Sequence, residues 1–406
     1  MFLLAAFLYA TLFWVCTWKR PALALLSIFA LAPFQNDLSM GGAFRFSIAE
    51  VNLLLTLPIF IAHGRPARLG PLAFPVAAYL ALCLFSSALH WRDTTLVSLI
   101  QIAVYLVIAV MVFRSLPRRV EEYRGSLFAL IAVCCLLAGL VLVKQSGYVL
   151  GLHKNGAGGS LASGLIVCAE LWFAERDALR KQWLLAAMIL IASGLVFTLS
   201  RGAWLTAVTG LAVILLLRRQ FHLLLRAAFV FAILAAVCWG RLPSEARTYA
   251  TAFERGNYNI QARYEAMDYA LDEFWKNPFT GAGVGLRKEY DATNVFLLTL
   301  AETGVPGLVA LVAIHLAFLR MAWRSRRYLT RSTPEASLVA LAAALMIGKL
   351  MHGTVDHYWS RGDLMLTWAA AGMAIRACAA GRRRSKHPAA PAHRAAIPMS
   401  SHSITP

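Results

Sequence analysis

Long apolar runs recur along the whole chain and constrain its fold more than any other feature. They are about 15 to 20 residues long, close to the roughly 20 residues that a helix needs to cross the hydrocarbon core of a membrane. Hydrophobic residues make up 59% of the 406 positions and charged residues only 15%. This leaves too little polar surface for a soluble fold of this length, so the sequence predicts an all-α, polytopic integral membrane protein.

The runs predict about 12 to 13 transmembrane helices. The predicted spans are residues 1–17, 21–33, 47–62, 71–89, 94–113, 126–143, 161–175, 183–199, 203–217, 227–240, 293–319, 335–351 and 363–379. The first run lacks the basic start and the small-residue cleavage site of a signal peptide, so it is interpreted as a helix.

Lysine and arginine concentrate at the cytoplasmic ends of membrane helices, and here their clusters fall in every second connection. The clusters are Lys19/Arg20, Arg65/Arg68, Arg114/Arg118/Arg119/Arg124, Arg176/Arg180/Lys181, Arg218/Arg219/Arg226, Arg320/Arg324/Arg326/Arg327/Arg331 and Arg382/Arg383/Arg384. These connections are predicted to be cytoplasmic, and the other loops periplasmic if the cell is Gram-negative. The net charge of +19 is then mainly a topology signal, and no nucleic-acid partner is expected.

The predicted membrane domain covers residues 1–380, and residues 381–406 are predicted to be a disordered, basic, cytoplasmic tail. One long periplasmic loop, residues 241–292, contains an amphipathic stretch at about 260–275 with apolar side chains recurring every three or four residues. Gly281, Gly283 and Gly285 then predict a flexible turn back to the membrane. The chain has no Walker loop and no Cys/His spacing suited to zinc, so no metal or other cofactor is predicted.

Arg201 is the first candidate site residue. It lies between two apolar runs, and an ionisable group at a membrane boundary is costly enough to mark a site. A role in capping a helix hairpin and contacting lipid headgroups is the alternative interpretation.

Five short motifs then occur in a characteristic order. They are Ser200-Arg-Gly-Ala-Trp204, Arg263 at the start of the loop helix, Asn277-Pro-Phe-Thr-Gly-Ala-Gly-Val-Gly285, Asn294-Val-Phe-Leu297 and Glu302-Thr-Gly-Val-Pro-Gly-Leu308. In this order and with this topology, the chain resembles the O-antigen ligase and polymerase superfamily over about residues 195–310.

The resemblance implies a glycan transferase of the bacterial inner membrane with its active face in the periplasm. The implied donor is an undecaprenyl-diphosphate-linked glycan, and the implied acceptor is another glycan or the lipid A core. Membrane lipids and other polysaccharide assembly proteins are the further partners to expect. No metal is implied, and arginines match phosphate oxygens bidentately. Arg201 and Arg263 are therefore predicted to hold the diphosphate, with Arg287, Lys154 and Arg361 as further substrate-binding candidates.

The chain departs from the ligase pattern at one position. The resemblance places a histidine directly before Asn294, as base or positioning group, but Thr293 stands there. A threonine cannot act as a base at neutral pH, which favours a polymerase slightly over a ligase. The candidates for the catalytic functions are then Asn294, Glu302, His352, Asp356 and His357.

Purely structural interpretations stay open for these residues. Arg263 is also compatible with a solvated face of the loop helix, Asn294 and Glu302 with backbone capping, and the 352–361 segment with a structural Asp–Arg pair. Three other functions are also open: a ligase acting on lipid A core or a protein, a transporter or flippase of lipid-linked glycans, and an inactive assembly partner.

Overall fold

The computed structural model describes residues 2–35, 38–39, 45–65, 68–220, 258–330, 332–359 and 361–386, with isolated positions between 222 and 239. Its α-helices, numbered in order, are α1 Phe2–Thr17, α2 Pro21–Leu31, α3 Ile48–Leu55, α4 Leu57–His63, α5 Ala73–Leu89, α6 Thr95–Ala103, α7 Val110–Ser115, α8 Tyr123–Lys144, α9 Lys154–Ala174, α10 Ala178–Phe197, α11 Arg201–Arg218, α12 Tyr258–Lys276, α13 Leu286–Glu289, α14 Val295–Ser325, α15 Pro334–His352 and α16 Asp363–Lys386. A π-helical segment, Val104–Ala109, joins α6 to α7. Strands Leu38–Ser39 and Arg45–Phe46 pair antiparallel.

The all-α, polytopic membrane architecture is confirmed. Within the described part of the chain, nine helical segments are long and apolar enough to cross a membrane. They are Gly70–Leu89, Thr95–Ser115, Val120–Lys144, Lys154–Ala174, Ala178–Phe197, Arg201–Arg218, Val295–Ser325, Pro334–His352 and Asp363–Ser385. Three shorter apolar helices, Leu4–Thr17, Pro21–Leu31 and Ile48–His63, coincide with the first three predicted spans. The predicted span 227–240 falls largely outside the described residues.

Several helix boundaries differ from the predicted ones. Helix α9 begins at Lys154, well before the predicted start at 161, because its polar and glycine-rich first turns pack inside the protein. Helix α16 continues to Lys386, past the predicted domain boundary at 380. Residues 387–406 of the predicted tail, like residues 241–257 of the long loop, lie outside the described residues.

The connections between the helices gather at two opposite ends of the bundle, the loop end and the basic end. At the loop end lie residues 145–153, 198–200, 277–294 and the described part of 353–362. At the basic end lie residues 114–119, 218–220 and 320–330. Helix α11 packs against α9 and α15, and α15 packs against α16, so these four helices bring their loop-end residues together.

Glycines allow the close approach of α9, α11 and α15 at the loop end. A Cβ at Gly158 would lie 2.9 Å from Ser200 Cβ, and a Cβ at Gly202 would lie 2.6 Å from His352 Cδ2. Small residues of this kind permit close backbone packing between membrane helices. The last turn of α15 is therefore held directly against the first turn of α11.

The glycine turn at 281–285 is fixed in place, which corrects the prediction that it is flexible. Gly281, Gly283 and Gly285 have φ angles of 72°, 87° and 127°, and the turn is buried. Ala282 N donates to Ala301 O at 2.8 Å, and Gly283 N donates to Ser86 Oγ at 3.1 Å. The glycines supply the positive φ that the turn requires, while α5 and α14 immobilise its backbone.

Helix α12 confirms the amphipathic helix predicted at about 260–275. It packs against α14, and Arg92 ties its second half to the glycine turn. The Arg92 guanidinium donates to Ala282 O at 3.0 Å, lies 2.6 Å from Glu289 Oε2 and lies 3.5 Å from Glu273 Oε2. The first half of α12 is thereby placed over the loop end.

Candidate functional site

Two adjoining cavities open at the loop end. The first, called the cationic cavity, has a volume of about 660 Å³ and contains Arg201, Arg263 and Lys154. The second, called the histidine cavity, has a volume of about 680 Å³ and contains His352 and His357. They share three lining residues, His153, Asn155 and Asp356, which therefore form a common wall.

Two helices of the cationic cavity begin with a cation. Lys154 is the first residue of α9 and Arg201 the first residue of α11. The N-terminus of a helix carries partial positive charge, so a basic side chain there costs about 0.3–1 kcal/mol where an acidic one would stabilise. Both helix starts, with Arg263 from α12, therefore favour an anion in the cavity between them.

Arg263 joins α12 to the segment that follows α15. Its Nη1 donates to Val355 O at 2.6 Å, and its Nη2 lies 3.6 Å from Asp356 Oδ2. Because the side chain is only partly buried, its remaining donors are available to the cavity.

Asp356 makes more polar contacts than the other two residues of the common wall. Its Oδ2 accepts from Asn155 Nδ2 at 2.6 Å, and its Oδ1 accepts from the backbone N of His357 at 2.8 Å. Burial alone would raise the pKa of Asp356, but His352, His357 and Arg263 together hold that pKa well below its usual range. Asp356 is therefore an ionised carboxylate and a weak base at neutral pH.

His357 forms an aspartate–histidine pair at the mouth of the histidine cavity. Its Nδ1 lies 2.8 Å from Asp291 Oδ2, and 54% of its side chain is exposed. Desolvation lowers the pKa of His357, but the hydrogen bond and charge of Asp291 outweigh it and raise that pKa above its ordinary value. With Nδ1–H directed at Asp291, the neutral ring presents Nε2 as a proton acceptor.

The other two histidines have different surroundings. His153 Nδ1 accepts from Asn155 N at 3.3 Å, so its Nε2 carries the proton and faces Tyr148 Oη at 3.2 Å. Burial, with the adjacent Lys154, lowers the pKa of His153. His352 is buried; its Nε2 lies 3.8 Å from Asp356 Oδ2, and neither ring nitrogen has a hydrogen-bond partner among the described residues.

Asn294 organises the backbone beside the histidine cavity. It caps α14, since its Oδ1 accepts from Phe296 N at 3.0 Å and from Leu297 N at 3.2 Å. Its Nδ2 donates to Thr354 O at 3.2 Å, and Val295 N donates to Gly353 O at 2.6 Å. The start of α14 and the segment after α15 are thus bound together.

Thr293 has a left-handed backbone conformation, with φ of 51°. This region is unfavourable for a β-branched residue and less so for histidine, the residue that the resemblance predicts here. Its backbone N donates to Asp291 Oδ1 at 2.9 Å, so Asp291 contacts both Thr293 and His357. The backbone geometry suited to histidine is present without the histidine itself.

The structure places Glu302 and Arg287 away from both cavities. Glu302 is buried and accepts from Gly285 N at 2.9 Å and from Arg287 N at 3.3 Å. The Arg287 guanidinium lies 4.0 Å from Glu302 Oε2, donates to Ser98 O at 2.8 Å and stacks over the Trp359 ring at 4.7 Å. Both residues support the glycine turn. Arg361 is partly buried, burial lowers its pKa, and it lines neither cavity.

Of the predicted site residues, Arg201, Arg263, Lys154 and Asp356 therefore meet in one cavity, and His352 and His357 in the other. Sequence reasoning did not single out Gln35, and it did not foresee that Asn155 and Asp363 line the histidine cavity together. The only signal for Asn155 was its position in the polar stretch before the glycine run of α9.

The fold and these cavities define a multi-pass α-helical membrane protein with a cavity lined by basic residues at one end of its bundle. Residues 186–312 match the model of the O-antigen ligase family. This match confirms the resemblance to the O-antigen ligase and polymerase superfamily and supports a function in glycan transfer. It includes Arg201 and Arg263 but not Lys154 or the 352–363 segment. No curated protein matches the chain.

Proposed function

We propose that this protein is a polysaccharide polymerase of the bacterial inner membrane. It would transfer a glycan from a polyprenyl-diphosphate carrier to a hydroxyl of another carrier-linked glycan at the periplasmic face. The observation that carries the proposal is the convergence of Arg201, Arg263 and Lys154 on a cavity that adjoins the Asp291–His357 pair. The family match supports glycan transfer in general; the donor, the acceptor and the residue functions are the proposal.

The charge of the cationic cavity suits a diphosphate diester. Its described lining contains three cations, Lys154, Arg201 and Arg263, and one carboxylate, Asp356. A diphosphate esterified at both ends carries two negative charges at neutral pH. The planar guanidinium groups can each hold two phosphate oxygens, and the helix starts of α9 and α11 add their backbone N–H groups.

The same cavity has an apolar side suited to the carrier chain. Leu199, Leu205, Met267 and Val355 line it together with the cations. A polyprenyl chain would lie against these side chains, while the diphosphate contacts the arginines. The combination of one charged and one apolar side is what an amphipathic donor requires.

His357 is the best placed group to accept the proton of the attacking hydroxyl. Asp356 is too weak a base, His153 already accepts a hydrogen bond at Nδ1, and His352 is buried. The Asp291 hydrogen bond orients the His357 ring, as the acidic partner does in other aspartate–histidine pairs. The same hydrogen bond and charge raise the pKa of His357 above its ordinary value, which makes Nε2 a stronger base than that of an unpaired histidine.

The bond changes follow from this arrangement. The acceptor hydroxyl oxygen attacks the anomeric carbon of the donor sugar, and the bond from that carbon to the diphosphate oxygen breaks. The diphosphate leaves with the bonding electron pair, and its developing charge is stabilised by Arg201 and Arg263. The hydroxyl proton passes to His357 Nε2. Attack on the face opposite the leaving group inverts the anomeric configuration.

The test is the glycan pattern of cells that lack this protein, with and without complementation. A polymerase predicts that single repeat units accumulate and that the ladder of chain lengths disappears. Long chains that remain on the carrier and are missing from lipid A core or protein would assign a ligase instead. An unchanged pattern of ladders and carrier-linked glycans would refute glycan transfer by this protein.

A further inference from the structure

A third cavity lies at the basic end, remote from the two described above. It has a volume of about 760 Å³, and four arginines line it: Arg114 of α7, Arg320 and Arg324 of α14, and Arg382 of α16. No carboxylate is among the described residues that line it. This four-arginine cavity therefore concentrates positive charge with no acidic side chain in its described lining to offset it.

One of these arginines has an unsatisfied donor. Arg114 Nη1 is buried and has no hydrogen-bond partner among the described residues. Gly70, another lining residue, leaves space beside it, since a Cβ at Gly70 would lie 3.6 Å from Arg114 Nη1. A buried charged donor without a partner is costly, so this position favours an anionic oxygen.

An apolar stripe leads along α14 to the cavity. Val305, Val309, Val312 and Leu316 are all exposed, by 40%, 62%, 36% and 60% of their surfaces. Their spacing of three and four residues places them on one face of the helix, and Arg320 and Arg324 continue the same face. The stripe ends at Leu316, which itself lines the cavity.

A neighbouring cavity at the basic end, lined by Arg218, Arg219, Arg326 and Arg327, also has no carboxylate in its described lining, but one of its arginines has a carboxylate partner behind it. There Arg218 donates to the buried Glu170 carboxylate through Nε, at 3.0 Å, and through Nη2. Orientation in the membrane accounts for basic residues at this end, but it does not account for an Arg114 donor that is buried without a partner among the described residues, at the end of an apolar stripe.

We propose that the four-arginine cavity binds the phosphate headgroup of an anionic phospholipid, with an acyl chain along the 305–316 stripe. The guanidinium groups contact the phosphate oxygens, and Ala313, Ala317 and Ile375 pack against the lipid below the headgroup. The apolar stripe favours a lipid over a free phosphate ion, because a phosphate ion would make no contact with the stripe. This site is independent of the proposed transferase function.

Native mass spectrometry of the purified protein, with phosphatidylglycerol, phosphatidylcholine or inorganic phosphate added, tests the proposal. The wild type should retain phosphatidylglycerol in preference to phosphatidylcholine. Arg320→Ala/Arg324→Ala should weaken that retention by about tenfold or more, since each basic residue near an anionic lipid contributes substantially. The matched control, Arg118→Ala/Arg383→Ala, removes two exposed arginines outside this cavity and should change retention little.

A second variant leaves the charges intact. Ala317→Trp fills the apolar wall and should also reduce phosphatidylglycerol retention, which keeps the test decisive if the double arginine variant does not fold. Equal losses in the cavity and control variants would overturn the proposal in favour of diffuse surface charge. Retention unaffected by Ala317→Trp, or full displacement of the lipid by inorganic phosphate, would overturn it in favour of a free-anion site.

Discussion

Two arginine–carboxylate pairs lie within or beside the family-matched region, and they differ in almost every physical respect. Arg263 and Asp356 meet at the edge of an open cavity, 3.6 Å apart, with the arginine 41% exposed. Arg287 and Glu302 lie 4.0 Å apart with side chains only 3% and 1% exposed. The first pair leaves donors available to a ligand, whereas the second directs its contacts into the protein.

This difference separates an arginine that is open to a cavity from an arginine that supports the surrounding backbone. Glu302 accepts hydrogen bonds from two backbone N–H groups of the 285–287 segment. These bonds hold the glycine turn, which Arg92 connects to α12. Arg263 projects from α12 into the cavity. The buried pair therefore positions the helix that presents the exposed arginine.

Glu302→Ala should have the largest effect, because it removes one partner of the buried pair. The substitution leaves the Arg287 guanidinium buried without its carboxylate partner. Removing one partner of a buried ion pair lowers the free energy of unfolding by about 3–5 kcal/mol. We expect loss of most folded protein, measured by size-exclusion chromatography and thermal unfolding of the detergent-solubilised chain. Arg263→Ala is the control, because partly exposed pairs contribute about 1 kcal/mol or less. Equal unfolding temperatures for the two variants would contradict the distinction.

Arg201→Lys changes the cationic cavity and leaves the buried Arg287–Glu302 pair intact. Lysine retains the charge but loses the bidentate fork, so transfer activity should fall about a hundredfold, as on removal of one oriented donor from a transition state. The unfolding temperature should stay at the wild-type value. Arg219→Lys, at the opposite end of the same helix, should retain full activity. An Arg201→Lys variant with wild-type turnover would remove this arginine from the site.

Asp291→Asn should have the smallest effect, a displaced pH profile. His357 accepts a proton only in its neutral form, so activity should rise with pH through its raised pKa. Without the Asp291 charge that pKa falls, and the rising limb of the profile should move to lower pH. The stabilising charge pair itself is present below the unfolded pKa of histidine and is lost as pH rises through the folded value.

Rates measured across pH for the wild type, Asp291→Asn and His357→Gln check this prediction. The glutamine variant, which cannot titrate, should lose the rising limb altogether. A rising limb at the same pH in the wild type and the asparagine variant would exclude His357 as the group that the profile reports.

The sequence was sufficient for the membrane architecture because apolar run length depends on local composition alone. The position of Arg201 between two apolar helices and the existence of α12 could also be predicted from local sequence, although the structure makes Arg201 the first residue of α11. Lys154 and Asn155 were assigned to a loop, since their polar and glycine-rich stretch gives no apolar period, although tertiary packing makes it helical. Packing likewise fixes the glycine turn that composition suggested was flexible.

The grouping of the candidate residues could not be predicted from the chain. Arg287–Glu302 and Arg263–Asp356 are both pairs of an arginine with a carboxylate, and the difference in burial between them cannot be read from the sequence. The pairing of His357 with Asp291 joins residues 66 positions apart in the sequence. It depends on the hydrogen bonds between the start of α14 and the segment after α15, which leave no signal in composition or spacing.

The common wall has a thermodynamic consequence for the two cavities. Because Asp356 faces both, a ligand in one cavity that moves or neutralises this carboxylate changes the field felt by a ligand in the other. Such coupling is reciprocal: if the donor strengthens acceptor binding by some factor, the acceptor strengthens donor binding by the same factor. Under the proposed function, the donor and the acceptor would then bind cooperatively. The protein with the donor alone would bind the diphosphate less tightly than the protein with both substrates bound.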